Sequence, residues 1–403
     1  MKREIIKQRE KAYERVAALG MLHAGNDAKP YWNEKACYHF SENQILEIEH
    51  ATAQLHVMCM KAVQHVIDNN LFERLKIPAD FVPYIKQSWN QRDPFVYGRF
   101  DLVYDGVHPP KMLEYNADTP TSLLEASVIQ YYWLKEKQQA NELPKEADQF
   151  NFIHESLVRA WQKVQREVTA AHGQFPGNLR FACLRDNAED SQTTNYMADV
   201  AAEAGIKNEV IDISDIGVSG DRFCDKAGKP IAAMFKLYPW EWMVKEEHGK
   251  RALNNKTGFI EPIWKMILSN KGIMAILWEL YPDHPNLLPT FDKPGKIDGA
   301  YVEKPFFSRE GANVTIHHLT DAESSGGSYG SEGYIYQAYA PLPNCDGHFP
   351  VIGSWITSSN PTYPDMPHHP RGGEACGMGV REDVSRITNN DSNFVPHYFT
   401  AHL

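Results

Sequence analysis

From Glu42 to Asn69 the apolar residues Ile45, Leu46, Ile48, Leu55, Met58, Ala62, Val63 and Val66 recur at helical spacing, and Ser41 stands where an N-cap belongs. The spacing predicts a long scaffold helix. Its His50, His56 and His65 come with no carboxylate or cysteine pattern, so they read as packed or solvent-facing side chains rather than ligands. The period then changes. YGRFDLVYD alternates over 97–105, GVHPP supplies turn residues and KMLEYN alternates again over 111–116, which predicts a β-hairpin. Ser122 through Trp133 reads as a helix, ELPKEADQF as a polar connection and Phe152 to Thr169 as a second helix, with a lobe boundary near residue 175.

Residues 179–213 follow a strand, helix, strand order: LRFACL, then SQTTNYMADVAAEAG, then NEVIDIS. One βαβ unit is the economical account. No GxGxxG follows the first strand, so a dinucleotide site is not expected and the unit reads as a substrate-side or packing domain. After Trp240 a mixed region leads to NKGIMAILWELYP, then to a strand GAYVEKPFF, a loop SREGAN and a strand VTIHHL. Two stretches of turn-forming composition follow, ESSGGSYGSEG at 323–333 and NPTYPDMPHHPRGGEACG at 360–377. Lids and plain surface loops both fit them. The chain is thus expected to divide into consecutive blocks at 1–175, 176–250 and 251–403.

Composition narrows the functional classes more than the fold. The 403 residues are 42% apolar and 23% charged, as in an ordinary globular chain large enough for two or three lobes. A formal net charge of −11 disfavours a nucleic-acid partner, whose backbone is held by clustered Lys and Arg. Small cationic ligands would suit it better, but an acidic balance is also the common state of soluble enzymes, and that plain reading is favoured. Tryptophan and tyrosine, at 9 and 19 copies without a basic stripe, read as core and interface residues. Cys37, Cys59, Cys183, Cys224, Cys345 and Cys376 are scattered without CxxC pairs, so neither a zinc site nor a disulfide framework is expected. No stretch approaches about eighteen consecutive apolar residues, and MKREIIKQREKAYERV reads as a charged amphipathic helix rather than a signal sequence. A cytoplasmic chain without a membrane partner is expected.

In a strand, residues two apart share a face, so Arg99 and Asp101 point together, and across the turn Glu114 and Asn116 do the same. Asp101, Glu114 and Asn116 would offer hard oxygen ligands of the kind Mg2+ prefers, and Arg99 would meet a phosphoryl group. The bland alternative is a surface hairpin whose Arg and Asp form an exposed ion pair of little energetic value. The run EYNADTPTS, an acidic strand end entering a small polar turn, shifts the balance toward a ligand site. Lys304 ends a strand and is followed by PFFSREGAN. Backbone N–H groups near Gly311 can cradle phosphates there while Lys304 and Arg309 neutralise charge. GxxxxGK[ST] is absent, and an ordinary β-hairpin stays open as the alternative. Lys271, at a helix entrance, and Arg381, in GMGVREDVSRIT, count for nothing by themselves. His368 and His369 are adjacent and make a poor metal pair in an extended loop.

Taken in order, GRFDLVYDG, KMLEYNADTPTSLLEA, NKGIMAILWELYP, VEKPFFSREGANV, YIYQAYAPLP, VIGSW and GMGVREDVSRIT resemble the synthetase domain of glutathionylspermidine synthase and its stand-alone acid–amine ligase relatives, over nearly the whole chain. The resemblance implies a mixed α/β (α+β) ATP-grasp fold of rearranged chain order, plus a preATP-grasp-like βαβ domain at 176–250. It implies ATP and Mg2+ as cofactors. Asp101, Glu114 and Asn116 look like the metal ligands, and Arg99 like the stabiliser of the transferring phosphoryl group and the tetrahedral intermediate, within a nucleotide-binding run Arg99, Phe100, Asp101. Lys271 and Lys304 look like the nucleotide lysines. Arg309, Glu310 and Gly311 resemble a phosphate-covering loop, with Arg309 as a catalytic cation. Gln337, Ala338, Tyr339 and Ala340 resemble the adenine hinge, and Ile387 and Thr388 the closure of the adenine pocket. Arg381 resembles the arginine that reaches the carboxylate substrate, and Thr119 a substrate contact.

The activity so implied joins a carboxylate, small or peptide, to an amine, polyamine-like ones included, through an acyl phosphate with release of ADP and phosphate. A phosphotransferase that stops at the phosphorylated product, and a nucleotide-binding regulatory protein with weak ATPase activity, are the alternatives. The sequence begins almost directly at the synthetase region, so amidase activity is not expected, and Cys37 has no matching context. Because the substrate-side loops are unmatched, glutathione and spermidine are not implied as the pair.

Overall fold

A computed structural model describes residues 1–360 and 371–403; the pair His368 and His369 and most of the 360–377 stretch lie outside the described residues. The alternating run at 97–116 forms the expected hairpin, Tyr97–Val103 against Lys111–Asn116, with Arg99 opposite Asn116, Asp101 opposite Glu114 and a bulge after Asp101. Its sheet is completed from the far end of the chain, in the order Asn393–Val395, Glu374–Asp383, Phe349–Thr357, Tyr97–Val103, Lys111–Asn116. The helix Glu42–Asp68 starts at a capping box, in which Ser41 Oγ accepts the Gln44 N–H and Gln44 Oε1 accepts the Ser41 N–H. It packs on Phe349–Thr357 and Glu374–Asp383 and buries Ile48, Leu55, Val63 and Val66 completely. Each such side chain contributes about 1.5–3 kcal/mol, so the site's sheet rests on a rigid support.

The βαβ unit is present and extended. Four parallel strands run in the order Gly258–Ile260, Ala233–Leu237, Leu179–Cys183, Asn208–Asp212. The helix Ala188–Glu203 crosses between the last two and is capped by Asn187, whose side chain accepts the N–H groups of Glu189 and Asp190. A second five-stranded antiparallel sheet is ordered Thr290–Phe291, Tyr334–Ala338, Tyr301–Pro305, Thr315–His317, Ala322–Ser324. The sheets therefore cut across consecutive blocks: the parallel one takes a strand from beyond residue 250, and strands 349–395 return to the hairpin.

Two local expectations change. MKREIIKQREKAYERV is not one amphipathic helix: Lys2–Ile5 is a strand paired antiparallel with Ala36–Ser41, and only Ala12–Ala18 is helical. The cause is a distant partner. Arg3 forms a two-pronged ion pair at 2.8 Å with the fully buried carboxylate of Glu382, and a buried charge of this kind must be met. The helix expected from Ser122 starts at Leu123, passes through a π stretch at Glu125–Ile129 and continues as Gln130–Gln139. No described helix is long and apolar enough to cross a membrane.

Candidate active site

Pleating puts four polar side chains of the hairpin on the face that lines the cleft. Arg99 Nε donates to Asp101 Oδ1 at 2.7 Å, and Asn116 Nδ2 lies 3.1 Å from Asp101 Oδ2 and 3.3 Å from Glu114 Oε1. Arg99 also donates to Thr121 O at 2.7 Å. Burial opposes its charge, but Asp101 outweighs burial and raises its pKa. Phe100, one residue on, turns the other way: it is fully buried and stacks on Tyr115 at 3.9 Å between centroids. Only its backbone can serve the cleft, a correction that follows from strand alternation.

The second antiparallel sheet supplies Lys304 opposite this floor, and the turn before the helix Ile273–Leu280 supplies Lys271. Lys271 Nζ stands 3.0 Å from Glu114 Oε2 and donates to Ser308 O at 2.5 Å. Lys304, on Tyr301–Pro305, is held by Leu113 O at 3.0 Å and Gln337 Oε1 at 2.7 Å. Burial works against ionisation of Glu114, but Lys271 and Lys304 prevail and draw its carboxyl down to about 2. Burial also pulls the Lys304 ammonium down to about 8 against the opposing charge of Glu114.

Beyond Lys304 the chain turns through two consecutive left-handed residues, Glu310 at φ 56° and Gly311 at φ 68°. A Cβ at Gly311 would strike Thr388 O and stand 3.2 Å from Ile387 Cγ2, so only glycine lets the loop seat on the C-terminal segment. The stretch 325–330 packs on the same loop, with Ser325 Oγ donating to Gly311 O and Asn313 donating to Tyr329 O at 2.7 Å. Val302, Val314 and Ile316 form an apolar patch with Tyr339 and Ile387 packed against it. In the run Gln337–Ala340, the N–H groups of Ala338 and Tyr339 are already given to Pro289 O and Ala300 O. Gln337 points behind Lys304 rather than outward. Arg381 donates to Asn389 O, and its buried Nε has no hydrogen-bond partner among the described residues.

One cavity of about 200 Å3 is lined by Arg99, Asp101, Glu114 and Asn116 from the floor and by Lys271, Lys304, Arg309, Glu310 and Gly311 from the opposite side. Gln337, Ala338, Tyr339, Ala340, Arg381, Ile387 and Thr388 line it too, with Thr119 at the turn. All of these side chains, scattered over 290 residues of sequence, meet in it.

The sequence reading missed a third wall. Asn187, Glu189 and Asp190, at the start of Ala188–Glu203, line the cavity beside Ser122, whose hydroxyl lies 3.5 Å from Glu189. Burial, reinforced by Glu189, pushes the Asp190 carboxyl up to about 7. The available signal was positional, since loops at the carboxyl ends of parallel strands are where open α/β sheets bind ligands. Two buried lysines brace the floor. Lys265 pairs with Glu261 at 2.5 Å and donates to Tyr97 O and Ala117 O, while Lys236 pairs with Asp118 at 2.9 Å.

A family profile described as "Glutathionylspermidine synthase preATP-grasp" matches residues 3–400. A Haemophilus influenzae protein named "Putative acid--amine ligase" is 38% identical over 387 residues, which is 93% of this chain and 92% of that one. Trypanothione synthetase of Crithidia fasciculata is 29% identical over 374 residues, covering 85% of this chain but 53% of that longer protein. Among solved structures, a glutathione synthetase like-effector from Globodera pallida shares 9% identity and superposes with a TM-score of 0.56 over 98% of each chain, a likeness of fold alone. With a match that runs from one end of the cleft-forming sheets to the other, the chain belongs to the glutathionylspermidine synthase preATP-grasp family.

Proposed function

We propose that the chain is an ATP-dependent carboxylate–amine ligase that makes an amide through an acyl phosphate. The observation that carries this reading is the meeting of Lys271 and Lys304 with Glu114 at the floor of one cleft. Lys304 from one sheet and Lys271 from the turn before Ile273–Leu280 stand opposite the hard oxygens of the hairpin, with the apolar patch of Val302, Val314 and Ile316 beside Lys304, an arrangement that suits a nucleoside triphosphate.

Asp101, Glu114 and Asn116 fit a Mg2+ ion by donor type, two carboxylates and an amide on one face of the hairpin; the Asn116 amide, whose Nδ2 is turned to both carboxylates, would rotate to present its oxygen. Bound there, the ion would neutralise phosphate charge. Lys271 and Lys304 would bind the phosphates, and Val302, Ile316 and Ile387 would enclose the base. Arg381, with its Nε free to donate, would hold the carboxylate of the acid. A carboxylate oxygen attacks the γ-phosphorus, ADP leaves, and Arg309 and Arg99 stabilise the charge that spreads over the phosphoryl group. A cationic amine must first give up a proton, which Asp190, on the acidic wall with a carboxyl near 7, would accept. The neutral amine nitrogen then attacks the acyl carbon, the C–O bond to phosphate breaks, and the second nitrogen proton leaves with the phosphate.

The test is a coupled ADP-release screen over paired carboxylates and amines, followed by mass detection of the conjugate. One amide formed per ADP supports the ligase. A phosphorylated acid that accumulates without amide identifies a phosphotransferase, and ADP release that no acid–amine pair stimulates overturns the reading.

A further inference from the structure

Asp118 follows the floor strand and is almost fully buried. It accepts Lys236 Nζ at 2.9 and 3.1 Å, and its Oδ2 also accepts the backbone N–H of Trp240 at 2.9 Å. Lys236, fully buried on Ala233–Leu237, donates in addition to Tyr238 O at 2.8 Å and lies over the Trp240 ring at 4.5 Å. One carboxylate thereby fixes two short segments against each other. The first carries Thr119 and the second carries Glu241.

Both segments end on the same guanidinium. Arg309 Nη2 donates to Thr119 Oγ1 at 2.7 Å, and its Nη1 lies 3.5 Å from Glu241 Oε1. Trp242 adds a ring face at 5.9 Å. Arg309 itself sits on the loop after Tyr301–Pro305, in the other sheet's lobe, and its side chain is partly exposed. A long side chain in that position has many rotamers, and fixing it needs partners that do not move. Glu241 is such a partner. It is 5% exposed, and burial pushes its carboxyl upward while Arg309 acts in the opposite direction. A second, smaller cavity of about 20 Å3 runs behind Glu114 and is lined by Thr119, Glu241 and Arg309. This space is enough for about one water.

We propose that Glu241 is a positioning residue that holds Arg309 toward the main cleft, and that the buried Asp118–Lys236 pair sets the spacing of Glu241 and Thr119. The parallel-sheet domain then takes part in phosphoryl transfer through one side chain of another lobe. The proposal rests on the ligase reading for what Arg309 does, but not for where Arg309 is held.

The experiment uses the full chain labelled with 15N-arginine, the Arg309 Nε–H resonance being assigned through Arg309→Lys. Glu241→Gln keeps the shape and removes the charge. The expected result is a sharp, slowly exchanging Arg309 resonance in the wild type and a broadened, fast-exchanging one in the variant. In steady state with ATP and an active acid–amine pair, kcat should fall roughly 10- to 100-fold with the nucleotide KM within about twofold. On an Arg309→Ala background the same substitution should change nothing further, since Glu241 acts only through Arg309. If Glu241→Gln fails to fold, Glu241→Asp, which withdraws the charge by one methylene, is read in the same way. An unchanged Arg309 resonance, or an equal loss of kcat with and without Arg309, overturns the proposal. A wild type that no acid–amine pair activates overturns the ligase reading instead, and the resonance alone then decides where Arg309 is held.

Discussion

Gly353 gives up its side-chain space to Arg99. It lies opposite Asp101 in the neighbouring strand, and a Cβ there would stand 2.8 Å from Arg99 Cδ and 3.3 Å from Nε. Arg99 cannot simply swing aside, because Asp101 and Thr121 O hold its far end. Gly353→Ala should therefore displace the guanidinium from Asp101 while leaving the strand intact. We expect turnover to drop roughly 10- to 100-fold, with a stability loss of about 1–3 kcal/mol from overpacking. ADP-release kinetics and urea unfolding of the same preparation check both. Full activity in Gly353→Ala would show that Arg99 has slack the packing does not suggest.

The acidic wall predicts a pH dependence of amine use. Asp190 faces Glu189, Glu310 and Arg309, and its carboxyl is raised from 3.8 to about 7, chiefly by burial. Below 7 it carries a proton and holds a cationic amine poorly, so the amine KM should fall as pH rises through 7. The stability effect has the opposite sense: between 3.8 and 7 the folded chain binds the proton that the unfolded chain has released, so stability declines over that window as pH rises. Asp190→Asn should flatten both profiles. A KM profile that keeps its inflection near 7 in Asp190→Asn assigns the titration to another group.

Legibility in the sequence followed sequence distance. The hairpin could be read because its two strands alternate over adjacent segments and place Arg99, Asp101, Glu114 and Asn116 on one face. The helix at Glu42–Asp68 carried both period and cap. The N-terminal strand could not be read, because Arg3 answers to Glu382, 379 residues away, and the local pattern favours a helix. Glu189 and Asp190 look like an ordinary acidic first turn behind an Asn cap. Their role as a wall depends on which lobe the helix faces, a property of tertiary packing alone. Phe100 marks the reverse case: it stands between Arg99 and Asp101, yet alternation sends its side chain into the core.

Asp118 and Lys236 predict an asymmetry in stability. Both are buried, and each is the other's principal charge partner. Asp118→Asn strands an ammonium in the interior and should cost about 3–5 kcal/mol. Lys236→Met with Asp118→Asn removes both charges, keeps an amide oxygen for the Trp240 N–H and should cost clearly less than the single change. Urea midpoints of the wild type, the single variants and the double variant complete the cycle. Additive losses would show that the two residues act on stability separately.

Lys304 supplies the decisive test of the nucleotide site. It is buried between Leu113 O and Gln337 Oε1, and desolvation draws its pKa from 10.5 to about 8 even with Glu114 nearby. Between 8 and 10.5 the unfolded chain keeps a proton that the folded chain has lost, so stability should rise with pH across that window. Lys304→Met lacks this titration, and its melting temperature should run closest to, or above, that of the wild type below pH 8. Nucleotide binding asks for the opposite state, since a neutral amine offers no charge to phosphate. ATP affinity of the wild type should therefore weaken as pH climbs through 8, while Lys304→Met should bind weakly throughout and turn over no ATP. Asp101→Ala should lose turnover as well, because it removes both a floor oxygen and the partner of Arg99. Calorimetric titration of ATP at several pH values separates these effects from folding. Undiminished ATP affinity or turnover in Lys304→Met would move the phosphates to another part of the cleft.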